Sequence, residues 1–282
     1  MDSRSLAGAA LAALALSAFP AGLAAQRRIS WSPDGRRLVL SVEKPSGLLI
    51  VRADGTAPHK LYGSGKQDMY PSWSPNGRLI AFSSRSDGDD EIFVIGSDGS
   101  GLHKLTRNDT GDSYPSWSPD GKSLAFMSNR TGSWQIFVMK PDGSAVRRVT
   151  QTSTNEYNPS WSPDGKRIVF ESNRNGNDGD EIYVVDADGS HERRVTRSGV
   201  NVTFPSWSPD GGKLAICSIS KGSAKIRLID GNGSVSADSL AAGCLPSWSP
   251  DGKRIAFERQ GKTEPGIYVL TLDKLQLRRI LP

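Results

Sequence analysis

Three acids stand at one fixed spacing: Asp68, Asp112 and Glu156 each lie five residues before a tryptophan of the sequence Ser-Trp-Ser-Pro. One or two residues on come Met69, Tyr70, Tyr114, Tyr157 and, one unit further along, Phe204. Arg85, Arg130 and Arg174 follow at the end of the next apolar run, with Arg85 one position out of phase. Carboxylates ringed by aromatics could hold a cation such as calcium, or a Lys or Arg side chain of a partner peptide. The arginines could equally neutralise the acids. The next two units carry Val202 and Gly243 at the acidic position, so a ring of acids would be incomplete. Other chemistry is sparse. His59, His103 and His191 are dispersed along the chain and read as surface residues, not as a metal cluster. No G-x-S-x-G elbow and no phosphate-cradling glycine loop occurs. The acidic stretches Asp87–Glu91 and Asp178–Glu181 lack EF-hand spacing and read as polar hairpin turns. The reading therefore assigns no catalytic residue, no resident metal and no cofactor, and it leaves a channel-bound cation open.

The acids take their phase from a repeat. The hexapeptide SWSPDG begins at Ser30 and returns at Ser72 (as SWSPNG), Ser116, Ser160, Ser206 and Ser247. The tryptophans Trp31, Trp73, Trp117, Trp161, Trp207 and Trp248 are 42, 44, 44, 46 and 41 residues apart, a period in the range of propeller blades. Within one unit, Tyr114 to Thr150, four short runs have strand character: 115–118, 123–128, 135–140 and 146–150. Ser-Pro-Asp-Gly is a reverse turn between the first two strands: proline presets φ, aspartate bonds the local backbone, and glycine accepts positive φ. A second Asp-Gly or Asn-Gly turn joins the third strand to the fourth in the first five units. The one tryptophan per unit is expected to pack between adjacent sheets.

Each unit is thus a four-stranded meander with an open face, and radial stacking buries such faces. The expected fold is all-β: a six-bladed β-propeller of four-stranded antiparallel blades over residues 26–282. Blades should start near 29, 70, 114, 158, 204 and 245. Strand one of the first unit begins the ring and "LQLRRIL" ends it, so closure should need no exchanged strand. The turns of the bottom face are nearly uniform, whereas the top loops vary ("RSDGDDE", "NRTGSW", "NRNGNDGDE", "ISKGSA") and are where binding can be tailored.

Residues 1–25 read as a secretory signal peptide: Arg4, the apolar run Leu6–Leu16, then small residues around Gly22-Leu23-Ala24. That reading makes the product periplasmic or secreted, with no stable membrane insertion. The net charge of +5 is spread without a basic block, which argues against nucleic acid. Cys217 and Cys244, in neighbouring units, could form a disulfide or remain two buried thiols. A monomer is expected.

The six WSPDG turns, each followed by strands like "SLAFMSNR" and "QIFVM", resemble the TolB-like, WD40-like (PD40-type) propeller repeat. The resemblance covers about residues 27–282. It implies an exported, non-enzymatic propeller that binds a protein or peptide of the cell envelope through its top face and channel mouth. A peptidoglycan-associated lipoprotein is the partner it suggests. TolB-type proteins carry an α/β domain ahead of the propeller, where this sequence reads as a signal peptide, so a full TolB role is not implied. A second reading is a polysaccharide-binding or polysaccharide-degrading propeller using channel carboxylates and aromatics.

Overall fold

The computed structural model describes residues 28–43, 46–86, 88–176, 179–260 and 264–282. Residues 1–25, read from the sequence as a signal peptide, and Asp87 and Asp178 lie outside the described residues. Twenty-four strands form six separate four-stranded antiparallel sheets, and every sheet follows chain order. The first strands begin at Ile29, Asp68, Asp112, Glu156, Asn201 and Cys244, which we number as blades 1 to 6. In blade 3 the strands are Asp112–Trp117, Leu124–Ser128, Gln135–Met139 and Arg147–Arg148.

Two details depart from the sequence reading. First strands in blades 2 to 4 begin two residues earlier than expected, because the chain passes a bulge and stays paired. At the bulge Tyr70, Tyr114, Asn158, Phe204 and Leu245 hold a left-handed φ of 52° to 58°, a conformation seldom taken by such side chains. Outermost strands shrink to two paired residues in blades 2 to 4. There a buried polar contact substitutes for a longer ladder: Thr106, Thr150 and Thr196 accept the amides of Ile92, Ile136 and Ile182 through Oγ1. Glu91, Gln135 and Glu181, all fully buried, then bind the loop that follows the fourth strand.

The core lies between blades rather than within them. Each of the six apolar clusters draws on adjacent sheets. Trp117 joins Ala81, Ile92 and Val94 of blade 2 to Leu124, Phe126 and Phe137 of its own blade. Trp73 and Trp207 do the same one blade earlier and two blades later. Arginines cap the stack from the preceding blade: Arg37 over Trp73, Arg167 over Trp207 and Arg254 over Trp31, at 4.6–5.3 Å. Trp31, Trp73, Trp117 and Trp207 are buried, while Trp161 and Trp248 are partly so.

The repeated turn acts between blades as well. Its serine hydroxyl donates to the aspartate two residues on, as Ser118 does to Asp120 at 2.7 Å. That aspartate also accepts the Lys122 amide. Gly121, at φ +69°, sits where an added Cβ would lie 3.3 Å from Pro75 of the previous turn. The same glycine-against-proline contact recurs at all six junctions, Gly35 on Pro250 included. The second turn is tighter still: a Cβ on Gly143 would come within 2.5 Å of the Leu105 carbonyl oxygen of blade 2.

Blades 6 and 1 close the ring with these same contacts and no shared strand. Ile29, Trp31 and Leu38 pack on Ala256, Ile267 and Val269, and Trp31 Nε1 donates to Ser247 O at 3.0 Å. The two cysteines, left open by the sequence, form a disulfide between the second strand of blade 5 and the first of blade 6. Constraining a loop of this length in the unfolded chain contributes about 3–4 kcal/mol.

Removing a Trp ring from between two sheets leaves a cavity that rigid backbones cannot fill. Trp117→Ala is therefore expected to destabilise the protein by about 3–5 kcal/mol. Equilibrium denaturant unfolding checks this, and an unchanged midpoint would contradict the packing role.

Candidate functional site

The aromatics and the acids of the sequence reading part company in space. The aromatics converge on the propeller axis. Tyr70 and Tyr114 stack with ring centroids 3.5 Å apart, and both belong to one cluster with Tyr157, Phe204 and Leu245. All four expected channel aromatics are buried. The left-handed bulge gives Tyr70, Tyr114, Asn158, Phe204 and Leu245 equivalent places in blades 2 to 6, so in blade 4 it is Asn158 and not Tyr157 that holds the shared position. In blade 1 the equivalent residue is Arg28, whose guanidinium lies 5.5 Å from the Tyr114 ring centre. Arg28, Asn158, Phe204 and Leu245 line an axial void of only about 10 Å³. Arg28 Nη1 is buried there without a hydrogen-bond acceptor, and burial lowers its pKa.

The acids instead stay with their own blades. Asp112 accepts two bonds from Arg130 Nη2, at 2.8 and 3.0 Å, and one from Asn108. Glu156 accepts from Arg174 Nη2 at 3.0 Å and from Thr152 at 2.6 Å. Both arginines also lie over aromatic rings of the same blade, Arg130 over Phe137 and Arg174 over Tyr183. Glu156 is held above the usual carboxylate pKa, since burial outweighs these bonds. In blade 2 the phase shift of Arg85 matters. Arg85 reaches Asp90 at 2.8 Å instead of Asp68. Asp68 then takes only Ser64 and Ser84 as partners where its counterparts have an arginine.

That exchange opens a cleft. Between blades 1 and 2, on the top face, lies a cavity of about 610 Å³. Val42 and Met69 give it apolar walls, and Lys66, Asp68 and Arg85 give it charge. Asp68, itself buried, Met69 and Arg85 thus line one cleft, while Asp112, Glu156, Arg130 and Arg174 serve internal ion pairs. The volume falls in the range of ligand pockets.

Sequence reasoning missed a carboxyl pair beside the axis. Glu171, in the second strand of blade 4, accepts Asn158 Nδ2 at 2.7 Å and the Phe204 amide at 3.3 Å. Burial is the leading cause that lifts its pKa to about 8, with the charge of Asp180 next. Asp180 is raised too, chiefly by burial. The repeat does not single Glu171 out: the matching positions in blades 3 and 5 are Met127 and Cys217, while blade 6 carries a second buried glutamate there, Glu258. Among the described residues no group of three His, Cys, Asp or Glu side chains could hold a metal ion.

A carboxyl whose pKa is raised on folding binds more protons folded than unfolded across the interval between the two values. Stability must fall as pH rises through that interval. Melting temperature is expected to drop between about pH 5 and pH 8. Glu171→Gln should flatten the part of that slope owed to this group. An identical slope in the variant would show that the pair carries no such proton.

Comparison with known proteins adds the following. The family described as the TolB beta propeller domain matches residues 110–243 and 177–282. A TolB homolog of Chlorobium luteolum is 36% identical over 65 residues, a segment covering 23% of this chain and 15% of that protein. The chain is similar to a structure described as TolB of Agrobacterium tumefaciens, with TM-score 0.71 and 30% identity, covering 81% of this chain and 87% of that one. TolB of Acinetobacter baumannii superposes with TM-score 0.70 at 23% identity, over 94% of this chain and 66% of that one. This chain thus spans about two thirds of the longer protein and a small part of the curated relative.

Proposed function

This chain belongs to the TolB beta-propeller domain family, and from that premise we propose that it is an exported, non-enzymatic binding propeller of the cell envelope. Its partner is a protein or peptide, with a peptidoglycan-associated lipoprotein as the first candidate, and its place is periplasmic or secreted. The observation that carries this reading is the top-face cleft of about 610 Å³, with Met69 and Val42 beside Lys66, Asp68 and Arg85. Apolar wall next to unlike charges suits an extended peptide that buries an apolar side chain and pairs its own charges at the rim.

The polysaccharide-degrading alternative draws less support. It requires a pair of accessible carboxylates, and Asp112 and Glu156 are fully buried against their own arginines.

Calorimetric titration of the protein with purified peptidoglycan-associated lipoprotein tests the proposal. The expected result is saturable binding that Lys66→Glu, at an exposed lysine of the cleft, weakens at least tenfold without lowering the melting temperature. Equal binding by that variant would remove the cleft from the account. Absence of binding by either protein would remove this partner.

A further inference from the structure

We propose that the seam between blades 6 and 1, on the face carrying the Ser-Pro-Asp-Gly turns, binds a small ligand bearing two or more phosphate groups and is clasped by it. This goes beyond the top-face function and rests on different residues.

A cleft of about 870 Å³ opens there. Blade 1 supplies Arg36, Arg37 and Arg52, and blade 6 supplies Arg254 and Arg278. Two carboxylates, Asp34 and Asp54, face these five guanidiniums. Both are already engaged in their own turns. Asp34 accepts from Ser32 Oγ and the Arg36 amide, and Asp54 accepts twice from Thr56. Those local bonds are the leading cause that holds both below the usual carboxylate pKa. Arg254 is anchored by the Trp31 ring and by a 3.0 Å bond to Gly35 O of blade 1. Arg36, Arg52 and Arg278 make no ion pair within 4.0 Å among the described residues.

Comparison among seams shows that this excess is specific. The fourth-strand arginines Arg147, Arg193 and Arg278 hold equivalent places, opposite Val138, Val184 and Val269. Arg147 donates to Ala187 O of the next blade and Arg193 to Gly231 O. The residue just before each of those carbonyls is an acid, Asp186 or Asp230. At the closing seam that place is Arg52, next to Ala53. Cation thus meets cation at the one junction where the two ends of the propeller come together. Between blades 2 and 3 the place holds Lys140, but the opposing residue there is His103.

Clustered guanidiniums repel, and a multiply charged oxyanion relieves that repulsion. Planar forks take phosphate oxygens in pairs, which favours phosphate esters over single carboxylates. The cleft volume suits a small molecule or a headgroup. Since the arginines belong to two blades, an occupant bridges them, and binding to the folded state alone raises stability by mass action.

The probe is inorganic pyrophosphate, added to the full chain at ionic strength held constant with sodium chloride. Calorimetry and thermal melting are read together, on the wild type and on Arg52→Ser/Arg278→Ser. Both substituted residues are exposed, so the variant should fold and melt no lower than wild type without pyrophosphate. The expected result is one site per chain and a raised melting temperature, with affinity at least tenfold weaker in the variant. Co-sedimentation with cardiolipin vesicles, whose headgroup carries two phosphates, against phosphatidylcholine vesicles separates a lipid headgroup from a free phosphate ester as the source. Either positive arm that depends on Arg52 and Arg278 supports the site. Equal binding by wild type and variant, or no binding in either arm, overturns it.

Discussion

A sheet that stands radially in a propeller exposes two broad faces, and neither is covered within its own blade. Everything else in this protein depends on how those faces meet. The solution is a flat indole from one blade, set against aliphatic and aromatic residues of the blade before it, with an arginine of that earlier blade capping several of the rings. Dispersion and area burial of this kind scale with contact, and a ring the size of Trp dominates an interface of short strands. The turns add a second belt: glycine of one Ser-Pro-Asp-Gly against proline of the last, around all six junctions. Such contacts need no strand exchange, so blade 6 can meet blade 1 as any two neighbours meet.

This frame leaves the loop ends of the blades free to differ, and the proposed binding cleft lies among those differences. In blades 3 and 4 the acid at the start of the first strand is neutralised by the arginine at the end of the second. One residue of slip in blade 2 sends Arg85 to Asp90, and a cleft lies beside Asp68. The axis follows a different logic. In blades 2 to 6 one left-handed residue holds the shared bulge position, and Arg28 of blade 1 joins Asn158, Phe204 and Leu245 around a void of about 10 Å³.

The fold was legible in the sequence because the period, the turns and the tryptophan are local signals that recur in phase. Strand order and blade architecture followed from them. Several features were not legible. The pairing of Arg130 with Asp112 was only one of two open readings, because spacing alone does not show which way a side chain points from a bulged strand. The bulge itself is hidden, since Tyr70 and Tyr114 carry no sequence mark of a positive φ. Glu171 shares its place with Glu258 of blade 6 but with Met127 and Cys217 of blades 3 and 5, so the repeat alone does not show which glutamate is paired with a second carboxyl. The disulfide depends on the distance between two adjacent sheets. The arginine-rich seam joins residues some 220 positions apart, which only ring closure brings together.

The central claim is that side-chain interlock alone closes the ring as firmly between blades 6 and 1 as elsewhere. Native-state hydrogen exchange tests it directly, by comparing the first-strand amides of blade 1, Ile29–Trp31, with those of blade 3, Asp112–Trp117. The account predicts that the hydrogen-bonded amides of both strands exchange only through global unfolding, with the same opening free energy. Exchange of the blade 1 amides through a separate, lower-energy opening would show that the seam parts on its own and would contradict the claim.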